Sequence, residues 1–206
     1  LPQIYNSRIL KSYFEYLNDS YPHIDVDAIL THAGVTKYEL YDPGHWFDQQ
    51  QVDRFHYMAA ELTDNSAISR DVGQYAVISD SSGPVKQHAL GLLKVSSIYL
   101  LLTKLYPMMS RGAKVSSRKL SSTKVEIEVV PGDDVDEKPY QCLNRLGIFE
   151  SLAMLHTNKY AEIEHPQCVH KGDDCCRYVV SWDELSYPLW KRFFLFALVL
   201  ETLLLV

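Results

Sequence analysis

The chain has 206 residues, a formal net charge of −6 and 47% hydrophobic residues. This length predicts one domain that is large enough to bury a hydrophobic core. The acidic balance and the lack of a long basic run argue against nucleic acid as a partner. Four cysteines without an apolar signal segment indicate a reducing compartment. We therefore expect the protein in the cytoplasm or at the cytoplasmic face of the inner membrane.

Helical patterns fill residues 1–79, which we interpret as an N-terminal helical region and a candidate dimerisation arm. Apolar residues recur there at spacings of three and four, which predicts helices over 4–17, 26–33, 48–62 and 68–78. Asp25 and Asp48 stand where N-caps are expected, and Gly34 stands where the second helix should end. The polar turn residues 79–84 then mark the best internal boundary.

The second predicted region, 83–184, changes from helical to strand periodicity. Helices are predicted over 85–93, 96–109 and 139–157, and strands over 113–120, 124–129, 160–165 and 176–182. We interpret the acidic stretch 131–138 as a solvated loop. The order predicts an α+β fold with an antiparallel sheet of about four strands and helices packed on one side.

All four cysteines lie between positions 142 and 176. One is on the inward stripe of a predicted helix, one follows a strand, and two flank the start of the last strand after a Gly-Asp turn. Three thiolates and an imidazole from three local elements suit a closed tetrahedral zinc site. We predict a structural zinc held by Cys142, His165, Cys168 and Cys176, with Cys175 and Glu164 in reserve. The alternative is a set of small buried thiols with a hydrogen-bonded histidine.

The C-terminal segment 186–206 forms the third predicted region. Lys191 and Arg192 precede fourteen mostly apolar residues, FFLFALVLETLLLV. Fourteen residues are fewer than the roughly 20 that a helix needs to span a bilayer. The segment is therefore either a signalling helix or the start of a transmembrane helix, which would give a membrane tether after residue 192. The cations before it place the domain on the cytoplasmic side.

Three segments near the end of the sequence resemble one known family. They are Leu146-Gly147-Ile148-Phe149-Glu150, Glu164-His165-Pro166-Gln167-Cys168 and Lys171-Gly172-Asp173-Asp174-Cys175-Cys176-Arg177-Tyr178. They resemble the signature end of the 4-vinyl reductase domain and the phenol-type sensory domains of bacterial activators. The resemblance implies a fold shared with TRAPP-complex trafficking subunits and haem-nitric-oxide-like domains. It also implies the same zinc ligands, with His165 in place of the family's Glu.

The segments at 21–25 and 44–47, with the apolar tail, are similar to input domains of bacterial membrane-linked histidine kinases. The resemblance implies a non-catalytic sensory homodimer that binds a small apolar or aromatic ligand and signals to a C-terminal output domain. Apolar helix faces suggest that the ligand pocket is formed by Tyr99, Leu102, Phe149, Leu152 and Tyr160. Two alternatives stay open: an interaction scaffold of the TRAPP-subunit kind, and a cofactor-binding, reductase-like enzyme.

Overall fold

The computed structural model of the chain describes residues 1–78 and 93–183. This part of the chain contains seven α-helices and two antiparallel sheets, which confirms the predicted α+β class. The helices are α1 (Ser7–Ser20), α2 (Val26–Ala33), α3 (Lys37–Tyr41), α4 (Gln49–Thr63), α5 (Ile68–Ile78), α6 (Val95–Leu105) and α7 (Pro139–Thr157). The strands are β1 (Gln3–Asn6), β2 (Trp46–Asp48), β3 (Ala113–Lys119), β4 (Lys124–Pro131), β5 (Glu162–Gln167) and β6 (Cys176–Ser181).

The N-terminal helices pack around a hydrophobic core of their own. Local sequence sets their ends. The Asp25 side chain accepts hydrogen bonds from the first backbone N–H groups of α2, and Gly34 ends that helix in the left-handed conformation at φ 68°. Asp48 forms a capping box with Gln51 at the start of α4. The four helices predicted for this region are confirmed, each with ends within three residues of the prediction.

Three short elements of the N-terminal half, β1, β2 and α3, are absent from the sequence prediction. β1 pairs with β2, so residues 4–6 form a strand and not the first turn of a helix. The turn into α1 comes at Asn6, whose side chain accepts a hydrogen bond from the Arg8 N–H. α3 begins at a capping box between Thr36 and Glu39. Elements of three to five residues are too short for hydrophobic periodicity to reveal.

The four-stranded sheet has the order β3-β4-β6-β5, and all neighbouring strands are antiparallel. β4 defines its two faces: Val125, Ile127 and Val129 are buried, whereas Glu126 and Glu128 lie on the opposite face. α6 and α7 contribute to the hydrophobic core on the buried face. The predicted four antiparallel strands with helices on one side are therefore confirmed.

The two cores meet where α5 crosses α7, and two glycines allow the close approach. A Cβ on Gly147 would lie 2.0 Å from the Arg70 carbonyl oxygen, and one on Gly73 would lie 2.3 Å from the Asn144 carbonyl oxygen. Beside this crossing the Arg70 guanidinium pairs with both carboxylate oxygens of Glu150. The helical half is thus joined to the sheet half by direct backbone contact and by an ion pair.

Several predictions lie outside the described residues: the boundary at 79–84, most of the helix over 85–93, and the C-terminal region 186–206. The division into regions 1–79, 83–184 and 186–206 stays a prediction. Among the helices that the structure describes, none combines the length and the apolar character needed to cross a membrane.

Candidate functional site

Three cysteine side chains meet beside the start of β6. The Cys142 sulfur lies 3.5 Å from the Cys176 sulfur, which in turn lies 4.0 Å from the Cys168 sulfur. They come from α7, from the loop after β5 and from β6, and all three are buried. The structure therefore brings together three of the four side chains that the sequence proposes as metal ligands. That they bind a metal stays a prediction.

A buried ion pair borders this thiol cluster. Arg145 donates a hydrogen bond to Glu137, and the two side chains are only 6% and 5% exposed. The same guanidinium lies 3.2 Å from the Cys142 sulfur and donates to the Tyr178 hydroxyl at 3.2 Å. The hydrogen bond from Cys142 lowers the pKa of Cys176, and Arg145 acts in the same direction. The same hydrogen bond raises the pKa of Cys142, so the two sulfurs share one proton.

Sequence reasoning missed both members of this ion pair. The acidic stretch 131–138 is predicted to be a solvated loop, which is wrong for Glu137 because its carboxylate is buried against Arg145. Arg145 follows Cys142 by three residues and therefore shares the inward face of α7. A cation on the apolar face of a helix needs a buried partner, and that requirement is the signal that points to a nearby acid.

Of the other proposed ligands, His165 interacts with the Cys176 thiol and lowers its pKa, whereas Cys175 and Glu164 lie apart from the three sulfurs. The His165 ring stacks on Tyr178 at 4.2 Å between centroids, and its Nε2 is buried without a hydrogen-bond partner. Cys175 lies on the opposite side of the strand, 3.9 Å from the Glu128 carboxylate. The Glu164 side chain is 72% exposed and lies 3.6 Å from the Lys124 ammonium. Glu137 and His170 are the groups that approach Cys142.

The side chains predicted to line a ligand pocket occupy the core and the surface. Tyr99, Phe149 and Leu152 are buried in the hydrophobic core under the sheet, and Leu102 packs against it. Tyr160 is 46% exposed. The Tyr99 hydroxyl donates to the Phe149 carbonyl oxygen at 2.6 Å, and burial raises the pKa of this phenol. A ligand-binding role for this set stays a prediction.

A second buried titratable group lies in the helical half. His56 Nδ1 is 3.1 Å from the Tyr13 hydroxyl, and its ring stacks on Tyr140 at 3.8 Å between centroids. Burial lowers the pKa of His56 to about 4, so the imidazole is neutral near pH 7. The sequence carries one signal for it: His56 follows Val52 by four residues on α4, which places both on the buried face.

Hydrogen bonds between side chains connect the helical half to the start of α7. The Tyr140 hydroxyl donates to Asp53 at 2.7 Å, and Gln49 donates to the same carboxylate at 2.7 Å. Tyr5 donates to the Gln49 side-chain oxygen at 2.6 Å and accepts from the Gln141 amide at 2.6 Å. α7 thus contributes Cys142 to the thiol cluster and, from the same first turn, bonds to the helical half through Tyr140 and Gln141.

Comparison with solved structures identifies the architecture. A structure of an H-NOX protein from S. oneidensis in the Fe(II)NO state superposes with a TM-score of 0.67. It is 12% identical, and the match covers 87% of this chain and 99% of that chain. The fold is that of H-NOX domains. An oxygen-binding H-NOX domain related to soluble guanylate cyclases, in its oxygen complex, also has a TM-score of 0.67, at 16% identity over 87% of this chain and 95% of that chain. No family model and no curated protein matches the sequence.

The H-NOX correspondence corrects two predictions. The resemblance to the 4-vinyl reductase domain is wrong, because the solved structures that match are H-NOX domains. The description of the fold as that of a 4-vinyl reductase domain or a TRAPP subunit is likewise unsupported. Structural zinc as the cofactor is also wrong: the H-NOX structures are described as haem proteins, and they point to haem as the cofactor of this fold. At these low identities the match shows the fold alone.

Proposed function

We propose that this chain is the sensory input domain of a signal-transduction protein, built on the H-NOX fold. The match to H-NOX domains over 87% of this chain and 99% of a neighbour supports the proposal most directly. One neighbour carries nitric oxide and another carries oxygen, so this architecture suits the detection of small molecules. We propose no catalytic activity for the domain itself.

The finer parts of the proposal come from the sequence alone. They are a small apolar or aromatic ligand, a homodimer, a histidine-kinase output domain on the C-terminal side, and a membrane tether after residue 192. In a sensory domain, a ligand acts by favouring one of two conformations. The α5–α7 crossing is the natural element for such a change, because it joins the two hydrophobic cores.

A haem in this domain would need an axial ligand for its iron, which proteins supply from His, Cys, Met or Tyr. Most buried His, Tyr and Cys side chains in the described residues are already engaged, but the His165 Nε2 is buried without a hydrogen-bond partner. The His56 imidazole bonds to the Tyr13 hydroxyl, and the buried tyrosine hydroxyls bond to other polar groups. The three buried thiols contact one another. These engaged side chains do not fit a haem as they are arranged, and no step of the proposed function depends on one.

The sensory proposal is tested by exposing the purified protein to nitric oxide, oxygen and phenol in turn. We expect at least one of them to raise the melting temperature and to slow amide hydrogen exchange in α5 and α7, because a ligand that binds one state stabilises that state. The response should weaken in Arg70→Gln, which loosens the α5–α7 contact.

Arg118→Gln is the matched control for that variant. Arg118 also pairs with a glutamate, but it lies on the exposed face of the sheet, with 69% of its side chain accessible. The response should be unchanged in this variant. If none of the three compounds alters either the melting temperature or the exchange rates, the sensory proposal is wrong.

A further inference from the structure

We propose that Cys142 and Cys176 form a dithiol that a hydroperoxide oxidises to a reversible disulfide, which ties the first turn of α7 to the start of β6. The two free sulfurs lie 3.5 Å apart. The inference goes beyond the proposed function, because the thiols react with peroxide whether or not the domain binds a ligand. Cytosolic disulfides are usually transient and redox-sensing, so such a site agrees with the reducing compartment that the sequence predicts.

The fold itself brings these two sulfurs together. Cys142 is the fourth residue of α7, and Cys176 is the first residue of β6. They are 34 positions apart in the chain, and both belong to the hydrophobic core beneath the sheet. A disulfide bond is about 2 Å long, so the two sulfurs need to approach each other by roughly 1.5 Å.

The distances favour this pair over the other two cysteines. The Cys168 sulfur is farther from Cys176, at 4.0 Å, and the backbone N–H of Cys168 donates to Asp173 at 2.8 Å. The Cys175 sulfur lies on the opposite side of the strand, 3.9 Å from the Glu128 carboxylate. Cys168 is therefore the competing partner, and Cys175 is a natural control.

Charge around the pair favours its reaction with an oxidant. A thiolate, not a thiol, is the nucleophile in cysteine oxidation. Cys142 and Cys176 share one proton, so the pair carries one negative charge. The Arg145 guanidinium lies 3.2 Å from the Cys142 sulfur and stabilises that charge, while Glu137 holds the guanidinium in place.

Burial selects the class of oxidant. Cys142 is 5% exposed and Cys176 is 0% exposed. A bulky disulfide reagent cannot reach sulfurs that are covered to this extent. A small uncharged hydroperoxide, of which hydrogen peroxide is the simplest, suits the site better.

The reaction balances with one hydrogen peroxide for each pair. The charged sulfur attacks one peroxide oxygen, so that an S–O bond forms, the O–O bond breaks and hydroxide leaves, which takes a proton from solvent. The product is a sulfenic acid. The second sulfur then attacks the first: the S–S bond forms, the S–O bond breaks, and the oxygen leaves as water with the remaining thiol proton. The two sulfurs are oxidised and the peroxide is reduced.

The test is oxidation of the purified whole chain by hydrogen peroxide in the presence of a metal chelator. The intact mass should fall by two hydrogen atoms. After denaturation, alkylation and digestion with trypsin without reductant, we expect a peptide that links Cys142 to Cys176, with Cys168 alkylated. Trypsin cleaves after Lys171, which separates Cys168 from Cys176. Dithiothreitol should reverse the mass change and release the linked peptides.

The matched control is Cys175→Ser, which leaves one cysteine in the Cys176 peptide and should give the same linked product. Oxidation should also raise the urea midpoint reversibly in the wild type and in this variant, because a disulfide restricts the unfolded chain. Cys142→Ser should lose that rise. Peptide mapping of the wild type decides the question even if Cys142→Ser does not fold.

Two outcomes overturn the inference. Alkylation of all four cysteines after peroxide treatment would mean that no disulfide forms, and a link from Cys168 to Cys176 would mean that the pair is assigned wrongly. Both outcomes leave the sensory proposal standing, since that proposal depends on the response to nitric oxide, oxygen and phenol. Conversely, a protein that ignores those three compounds but forms the Cys142–Cys176 disulfide refutes the sensory function alone.

Discussion

His56 shows how one side chain acquires an unusual property from its position alone. Its sequence context is an ordinary helix with apolar neighbours at the right spacing, and that spacing places it inward. Once inward, the imidazole meets Tyr13 and stacks on Tyr140 from α7. Burial then holds the pKa at about 4, well below the value of an exposed histidine. The inward direction is predictable from the sequence; the partner from α7 is not, because it depends on tertiary packing.

The pKa of His56 predicts a pH dependence of stability. The unfolded chain takes up a proton near pH 6.5, whereas the folded chain does so only near pH 4. The contribution of His56 to the free energy of unfolding is therefore complete above pH 6.5 and decreases as the pH falls towards 4. The loss should be about 3 kcal/mol, since each pKa unit corresponds to about 1.4 kcal/mol. Urea unfolding of the wild type and of His56→Gln between pH 4 and 7.5 measures it; parallel curves for the two proteins would contradict the prediction.

At the scale of elements, the sequence predicts most boundaries because capping chemistry is local. Asp25 and Gly34 delimit α2, and Pro139 begins α7, as expected from the sequence. The strict alternation of β4 likewise predicts its buried face. The sequence predicts the thiol cluster only in part. Its three cysteines converge as expected, but Glu137 joins them from a loop whose composition indicates solvent exposure.

The α5–α7 crossing yields a prediction for Gly147→Ala. Replacing glycine by alanine inside a helix normally stabilises it by about 1 kcal/mol. Here the added methyl group would lie 2.0 Å from the Arg70 carbonyl oxygen, so the helices must separate. Overpacking of this kind costs about 1–3 kcal/mol. We expect the clash to dominate and the free energy of unfolding in urea to fall.

Gly132→Ala is the control for the crossing. A Cβ there would meet only the Val135 side chain, at 3.4 Å, and the Gly112 carbonyl oxygen at 3.6 Å. Its stability should stay within about 0.5 kcal/mol of the wild type, as is usual for substitutions away from packed features. If Gly147→Ala and Gly132→Ala have equal free energies of unfolding, the α5 and α7 backbones are not in close contact at Gly147.

At the scale of the whole molecule, two hydrophobic cores share one long helix. α7 places Tyr140 in the core of the helical half, and Cys142, Phe149 and Ala153 in the core beneath the sheet. The hydrogen bonds from Tyr140 to Asp53 and from Gln141 to Tyr5 join the same two halves. The sequence predicts each half separately, from its own periodicity. It does not predict their coupling, because the network pairs residues that are 87 and 136 positions apart in the chain.

This coupling predicts that the two halves unfold together. Trp46 reports on the helical half and Trp182 on the sheet half, and Trp190 is replaced by Phe in all variants. Fluorescence of the variants that retain only Trp46 or only Trp182 should give the same urea midpoint after correction for overall stability. Two separated midpoints would show that α7 does not unite the cores.

The glycine contact between α5 and α7 also restricts how the halves can move relative to each other. Because the two backbones touch at the glycines and Arg70 and Gln74 bind Glu150 beside them, we expect α7 to tilt at this crossing more readily than it slides. The contact between α5 and α7 would therefore be the point about which α7 rotates. α7 is about 28 Å long at 1.5 Å per residue, so a small tilt at this contact becomes a larger displacement at the two ends of the helix. One of those ends lies beside the thiol cluster, and a mechanical lever of this kind would transmit a change in either half to the other.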